Sequence, residues 1–170
     1  MSKYNIAVLV NNQEGVLNRV TSLFRRRNFN IDSLTVSETE TPKFSRITIS
    51  FKGEDRVKTQ LIAQLYKLHD VIKIKELDPD TTVSAELLLI KMANNESVRE
   101  QIDSAAKVFN AKVVNYTKDA IIFKVTGDSK KIDNFISIMR EFEILEICRT
   151  GIVSLEFGDT VLAKEEIERK

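Results

Sequence analysis

The residues of this sequence that are best suited to bind a small ligand lie between Asn11 and Val20, where a predicted strand runs into a predicted helix. A helix that opens on a glycine exposes unpaired backbone N–H groups and the positive end of its dipole, and both attract a carboxylate or a phosphate. Gly15 also lets a ligand approach the backbone closely, because it has no side chain. Asn12 can donate and accept hydrogen bonds, as the carboxylate and ammonium of an amino acid require. The same local pattern fits a structural role, in which Asn12 caps the helix and Gly15 forms a turn.

Residue counts exclude several classes of enzyme. The chain has one histidine, His69, and one cysteine, Cys148, so a zinc site built from Cys and His cannot form within one chain. Any Ser-His-Asp or Cys-His nucleophilic site would have to use His69, which lies at the end of a predicted amphipathic helix. Cys148 is predicted to be a small buried side chain rather than a nucleophile. The five glycines are too far apart for a phosphate-binding loop, and we therefore expect neither catalytic residues nor a metal site.

Length and composition indicate a soluble globular protein. The chain has 170 residues, of which 42% are hydrophobic and 30% charged, and its formal net charge is +1. A nearly neutral chain creates no general field to attract nucleic acid. Uninterrupted apolar stretches such as residues 87–90 are too short to cross a bilayer, and Met1–Tyr4 has no signal-peptide layout. A single cysteine excludes an internal disulfide, so we expect a cytoplasmic protein with neither nucleic acid nor membrane as a partner.

Hydrophobic periodicity predicts the elements that must position these residues. In the first half of the chain, apolar residues alternate or recur at helical spacing in the order strand, helix, strand, strand, helix, strand. The six predicted elements are marked by Ile6–Val10, Val16–Phe24, Ile31–Val36, Ile47–Phe51, Val57–Leu68 and Val71–Ile74. The same order returns in the second half, at Leu87–Met92, Val98–Phe109, Val113–Tyr116, Ile121–Val125, Ile132–Met139 and Ile144–Cys148.

This repeat predicts an α+β protein made of two tandem ferredoxin-like βαββαβ domains, with the helices on one face of each antiparallel sheet. Residues 1–78 form the first domain, 79–83 a linker, 84–160 the second domain, and 161–170 a charged tail that we expect to be a frayed, solvated helix. Domains of about 75 residues are individually small, and their sheets have exposed edges. We therefore expect a homodimer or a higher homo-oligomer.

A longer string of residues, Asn12–Val20 followed by Leu23–Val36, closely resembles the regulatory small subunit of acetolactate synthase, also called acetohydroxyacid synthase. The family pattern has an Asn, then a Gly, a Leu-x-Arg-Val start to the helix, a Leu-Phe pair, basic residues and an aromatic-Asn-Ile-x-Ser-Leu strand. Ser45–Ile49, Gln64–Val71 and Arg149–Val153 match the family in order and spacing as well. The resemblance therefore covers nearly the whole chain.

The resemblance implies a non-catalytic regulatory subunit whose N-terminal domain is an ACT domain, a ferredoxin-like module that binds small amino acids between two copies. Its effector would be valine, acting by allosteric feedback inhibition in branched-chain amino acid biosynthesis. The implied valine site has six residues on two subunits: Asn12, Gly15, Val16 and Leu17 on one subunit, and Asn30 and Ile31 on the second strand of its neighbour.

The resemblance also implies a separate catalytic large subunit, which this chain would activate. That subunit would carry thiamine diphosphate, magnesium and FAD, and would join two pyruvates, or pyruvate and 2-oxobutyrate, with loss of carbon dioxide. None of these cofactors is expected on the present chain. This agrees with the scarcity of catalytic residue types found from composition alone.

Two positions depart from the family pattern, and one cluster has two interpretations. Glu14 lies beside the implied carboxylate site, and we expect its side chain to point to solvent. Asn28 stands where the family commonly has glycine; because asparagine tolerates the left-handed conformation, the helix can still end there. Arg25–Arg27 is predicted to be a solvated helix face, and a patch for the catalytic subunit or an anion is the alternative.

Two other functions are compatible with the predicted fold. A freestanding ACT-type amino-acid sensor would bind valine or a similar ligand and act on another partner. A ferredoxin-like acyl-phosphate hydrolase would need a glycine-rich phosphate loop with an adjacent arginine, whereas residues 11–15 supply a single glycine.

Overall fold

The computed structural model describes residues 2–162, so most of the predicted tail 161–170 lies outside the described residues. Contacts within the chain divide it into two compact units. The first unit contains residues 2–83 together with 151–162, and the second contains residues 84–150. Among the described residues, no helix is long and apolar enough to span a membrane.

The first unit is a four-stranded antiparallel sheet with two helices. Its elements are β1 (Ser2–Asn11), α1 (Val16–Arg26), β2 (Ile31–Glu38), β3 (Phe44–Gly53), α2 (Asp55–Leu65) and β4 (Val71–Glu76). The strands lie in the order β2-β3-β1-β4, which places β2 and β4 at the two edges. This is the ferredoxin-like arrangement that the periodicity predicted.

The core of the first unit follows from alternation on the strands and helical spacing on α1. Ile6 and Val8 on β1 lie opposite Ile49 and Ile47 on β3, and all four side chains are fully buried. Positions four residues apart on α1 share one face of the helix. Its buried residues, Val16, Val20 and Phe24, therefore pack on that side of the sheet together with the buried leucines of α2. Asn28 ends the turn after α1 with φ 54°, in the left-handed conformation that the sequence allowed.

Residues 151–162, which include the short strand β9 (Val153–Glu156), also belong to the first unit. Arg46 on β3 donates to the carbonyl oxygen of Ser154 at 2.6 Å, and Lys75 on β4 pairs with Glu156 at 3.1 Å. Burial lowers the pKa of Arg46, and the nearby carboxylates of Glu156 and Glu40 oppose that shift. These contacts attach the segment to the first sheet.

The predicted boundaries assigned residues 151–160 to the second domain, whereas the structure groups residues 151–162 with the first unit. Gly151 permits the approach: a β-carbon there would overlap Thr35 Oγ1 and lie 3.2 Å from the backbone of Leu34. As domain assignments, 1–78, 79–83 and 84–160 stay a prediction.

The second unit repeats the plan of the first. Its elements are β5 (Thr82–Ala93), α3 (Arg99–Val108), β6 (Lys112–Tyr116), β7 (Ala120–Gly127), α4 (Ser129–Met139) and β8 (Ile144–Arg149). The strands lie in the order β6-β7-β5-β8, and β9 also pairs with β5 in this five-stranded sheet. Leu88, Ile90 and Met92 alternate along β5 into a core that includes the buried faces of α3 and α4. The prediction that Cys148 is buried is wrong, because β8 is an edge strand and Cys148 pairs with Leu89, which lies between two core-facing residues.

A buried carboxylate fixes the end of β8 in the second unit. Glu86 is 5% exposed and accepts hydrogen bonds from Ser129 at the start of α4 and from Arg149 at the end of β8. Arg149 also donates to Asp133 at 2.6 Å. One guanidinium therefore joins β5, α4 and β8.

Candidate functional site

The turn between β1 and α1 has a geometry that requires glycine. Gly15 is the N-cap residue of α1 and has φ +79°, in the left-handed region that costs other residues about 1–2 kcal/mol. A β-carbon on Gly15 would lie 3.1 Å from Arg19 Nη1, because the Arg19 side chain folds back over the turn. Among the described residues no side chain caps helix α1, and its first turn contains no acidic residue. Its N-terminal N–H groups and the Arg19 guanidinium therefore form the positive side of the turn.

Asn12 does not cap the helix, so the structural alternative for this residue is wrong. Its Nδ2 donates to Glu38 Oε1 and to the carbonyl oxygen of Pro42, each at 3.0 Å. Its backbone N–H donates to the carbonyl oxygen of Lys43 at 2.7 Å. The side-chain amide thus donates to the last residue of β2 and to the loop that follows it. Within residues 2–162, Asn12 Oδ1 accepts no hydrogen bond, and it is available to a donor.

Glu38 gives the turn a negative side. It is the last residue of β2 and lies beside Asn12 because both β1 and β2 pair with β3: Asn11 is opposite Phe44, and Glu38 is opposite Ser45. The carboxylate of Glu38 and Oδ1 of Asn12 can face an ammonium group. The helix N-terminus can face a carboxylate.

Arg19 is held in place by a partly buried ion pair. Its Nε lies 2.7 Å from Oδ2 of Asp70, whose side chain is 10% exposed. Asp70 also accepts, through its backbone carbonyl oxygen, the N–H of Asn11 at the end of β1. Asp70 therefore positions both the last residue of β1 and the cation above Gly15.

Sequence reasoning did not place Glu38 or Arg19 among the site residues. Arg19 carried a signal, because it belongs to the string that resembles the family and lies four residues after Gly15 on the helix. Glu38 could not have been identified from sequence, since it is 26 residues from Asn12 and only the register of three strands brings it close to Asn12.

The other implied residues of the first subunit lie at the same turn with different exposures. The side chain of Val16 is buried in the core, so this residue could serve a ligand only through its backbone. Leu17 is 41% exposed, and its side chain is available at the surface. Glu14 is exposed, in agreement with the expectation that it faces solvent.

Asn30 and Ile31 are not brought to this turn within one chain. Ile31, the first residue of β2, pairs with Phe51, whereas Asn11 pairs with Phe44 at the opposite end of β3. Seven residues of extended strand separate these two levels of the sheet, which is about 23 Å. Asn30 is exposed and Ile31 is half-buried, so both are accessible at their own end of the sheet.

The described residues offer no evident metal or nucleophilic centre. Within residues 2–162, no group of three or more His, Cys, Asp or Glu side chains could hold a metal ion. His69 is exposed, and so is Cys148. The turn between β1 and α1 is thus a candidate for binding a small zwitterion rather than for catalysis.

Comparison with family models gives matches over both units. Residues 6–73 match the model of the AHAS small subunit-like ACT domain, and residues 85–158 match that of the small subunit of acetolactate synthase. The first of these ranges contains all six residues of the implied valine site.

Curated proteins and a solved structure match over nearly the full length. A probable acetolactate synthase small subunit of Methanothermobacter thermautotrophicus is 44% identical over 92% of this chain and 94% of its own. The acetolactate synthase small subunit of Bacillus subtilis is 41% identical over 90% of each chain. The crystal structure of the small subunit of acetolactate synthase from Thermotoga maritima superposes with a TM-score of 0.85 at 35% identity, covering 94% of this chain and 100% of that one.

Proposed function

The chain belongs to the family of acetolactate synthase small subunits, and we propose that it binds valine at the turn between β1 and α1 and transmits valine occupancy to the catalytic subunit. As a small subunit it is regulatory rather than catalytic, and its partner is the catalytic large subunit. In the proposed cycle the chain activates that partner, and valine reduces the activation. Such feedback requires valine to bind two states of the complex with different affinity, a coupling of about 1–3 kcal/mol.

The observation that carries the proposal is the opposite polarity of the two sides of this turn. The uncapped N-terminus of α1 and the guanidinium of Arg19 lie on one side. On the other side, Glu38 and the free Oδ1 of Asn12 can accept hydrogen bonds from an ammonium group. A free amino acid carries both charges a few bonds apart, so it fits this turn better than a simple anion does.

The proposed site is completed by a second copy of the chain. Strand β2 is an edge of its sheet, and an edge strand presents unpaired N–H and C=O groups. An antiparallel two-fold pairing of β2 with its copy, centred near Leu34, brings Asn30 and Ile31 of one protomer to the end of β2 that contains its partner's Glu38. Because Glu38 contacts Asn12, both sets of implied site residues then surround one ligand.

The chemistry of acetolactate formation is assigned to the catalytic subunit in this proposal. Thiamine diphosphate, magnesium and FAD would bind there, and the present chain would contribute no reacting group. The proposed location is the cytoplasm, which suits a chain with a single cysteine and no internal disulfide.

Thermal unfolding with and without valine tests the proposal, with leucine, isoleucine and a non-binding amino acid as controls. A ligand at 100 times its dissociation constant stabilises the native state by about 2.7 kcal/mol per site. For a chain of this size we expect a rise in Tm of several degrees. No rise in an intact dimer would refute valine binding by the isolated chain. A valine-selective rise without any effect on acetolactate formation would instead identify a freestanding sensor.

A further inference from the structure

A basic groove runs along α1 on the helical side of the first unit. It has a volume of about 540 Å³ and lies between α1 and the C-terminal end of α2 with the residues that follow it. Its charged lining residues are all cations: Arg19, Arg26, Arg27 and Lys67. The neutral residues Asn18, Ser22 and Gln64 add hydrogen-bonding groups between them. We refer to this surface as the basic groove.

Three of the four cations lack a counter-ion in the part of the chain that the structure describes. Arg19 pairs with Asp70 at 2.7 Å. Arg26, Arg27 and Lys67 are exposed, and within residues 2–162 none of them forms an ion pair or a side-chain hydrogen bond. The C-terminus of a helix offers about half a negative elementary charge, which offsets only part of three positive charges. The groove therefore keeps a positive potential although the whole chain has a net charge of +1.

Two other surfaces of the first sheet are in contact with another segment of the chain or are assigned to the proposed dimer. Residues 151–162 contact the sheet through Arg46 and Lys75, and the proposed dimer uses the edge of β2. On the helical face, Arg26, Arg27 and Lys67 of the basic groove are exposed in the part of the chain that the structure describes. Building on the proposed function, we propose that the basic groove is the surface on which the chain docks an acidic patch of the catalytic subunit.

The length of the groove favours a protein surface over a small anion. Arg19 and Arg27 are eight residues apart along α1 and its C-cap, which corresponds to about 12 Å. Several carboxylates on a protein surface match that spacing, whereas a single phosphate reaches one end. Arg19 also lies above Gly15, so the groove is continuous with the turn proposed to bind valine. A partner docked in the groove contacts the element that valine occupies, and this continuity gives the two binding events a shared residue.

Charge reversal in the groove tests the proposal in the full chain with its cognate catalytic subunit. The variant R26E/R27E/K67E is compared with K52E/R56E/K107E, which reverses three exposed cations outside the groove and changes the net charge equally. Activation of the catalytic subunit is titrated at low and at high KCl concentration. We expect the groove variant to bind about tenfold more weakly or worse at low salt, with a smaller salt dependence, because it replaces attraction by repulsion. The control variant should titrate as the wild type does.

The milder variant R26Q/R27Q/K67Q, which removes the charges without reversing them, is a control for unfolding caused by charge reversal. Each variant is also tested for its valine-induced rise in Tm. Weakened docking with an unchanged valine response supports the proposal. Docking equal to wild type in both groove variants overturns it. If instead the groove variants lose only a stabilisation by inorganic phosphate or pyrophosphate, the groove holds a small anion and the docking proposal is wrong. If the wild-type chain neither binds nor activates the catalytic subunit, the proposed function itself fails, and this inference fails with it.

Discussion

Replacing Gly15 by alanine separates backbone strain from ligand binding. Gly15 has φ +79°, and a side chain in the left-handed region costs about 1–2 kcal/mol. For a chain of this size that corresponds to a decrease in Tm of about 2–8 °C. The added methyl group would also lie 3.1 Å from Arg19 Nη1, at the tip of a flexible side chain that can move away. We therefore expect Gly15→Ala to fold, with lower stability and with Arg19 displaced from the turn.

Gly158→Ala is the matched control. Gly158 has φ +72°, and among residues 2–162 a β-carbon there would meet no atom within 4 Å, so this variant has the same backbone strain without a steric contact in that range. Thermal unfolding of both variants is measured with and without valine. We expect Gly158→Ala to keep the valine-induced rise in Tm and Gly15→Ala to lose most of it. A full valine response in Gly15→Ala would refute the argument that the ligand requires close approach to this turn.

Three further substitutions and one association measurement test other parts of the structure. Asn12→Ala should abolish inhibition by valine while activation persists, whereas Asn134→Ala, an exposed asparagine on α4, should leave inhibition intact in the same activity assay. Arg149→Met leaves the carboxylate of Glu86 buried without its cation and should cost about 3–5 kcal/mol in urea unfolding; an effect below about 1 kcal/mol would contradict this. Gly151→Ala should lower Tm because its β-carbon overlaps β2, and an unchanged Tm would argue against that packing. Valine should also shift the monomer–dimer equilibrium towards the dimer in sedimentation experiments, since a shared site links ligand binding to association; an unshifted equilibrium would place the site within one chain.

The elements of the fold could be predicted because their causes are local. Alternation at Ile6 and Val8 identifies β1, and the spacing of Val16, Val20 and Phe24 identifies α1, without any information from the rest of the chain. The burial of Cys148 could not be predicted in this way. An alternating strand has two faces, and which of them is covered depends on where the strand lies in the sheet. Cys148 pairs with the exposed Leu89 of β5 and lies on the same face of the sheet, which the apolar residues before it in the sequence do not reveal.

In the candidate site, too, some residues could be predicted from the local sequence, whereas others depend on the pairing of strands that are distant in the sequence. Gly15 could be identified from sequence because a helix N-terminus and a glycine are adjacent in the chain, and their chemistry follows from that adjacency. Glu38 could not, because its proximity to Asn12 depends on the register of β2 and β1 against β3. A shift of one residue in that register would turn Glu38 to the other face of the sheet and leave Asn12 without its partner. The positive side of the site is thus encoded by a short segment, whereas the negative side is a property of the assembled sheet. A mutation that alters strand pairing far from the turn should therefore weaken recognition of an ammonium group before it weakens recognition of a carboxylate.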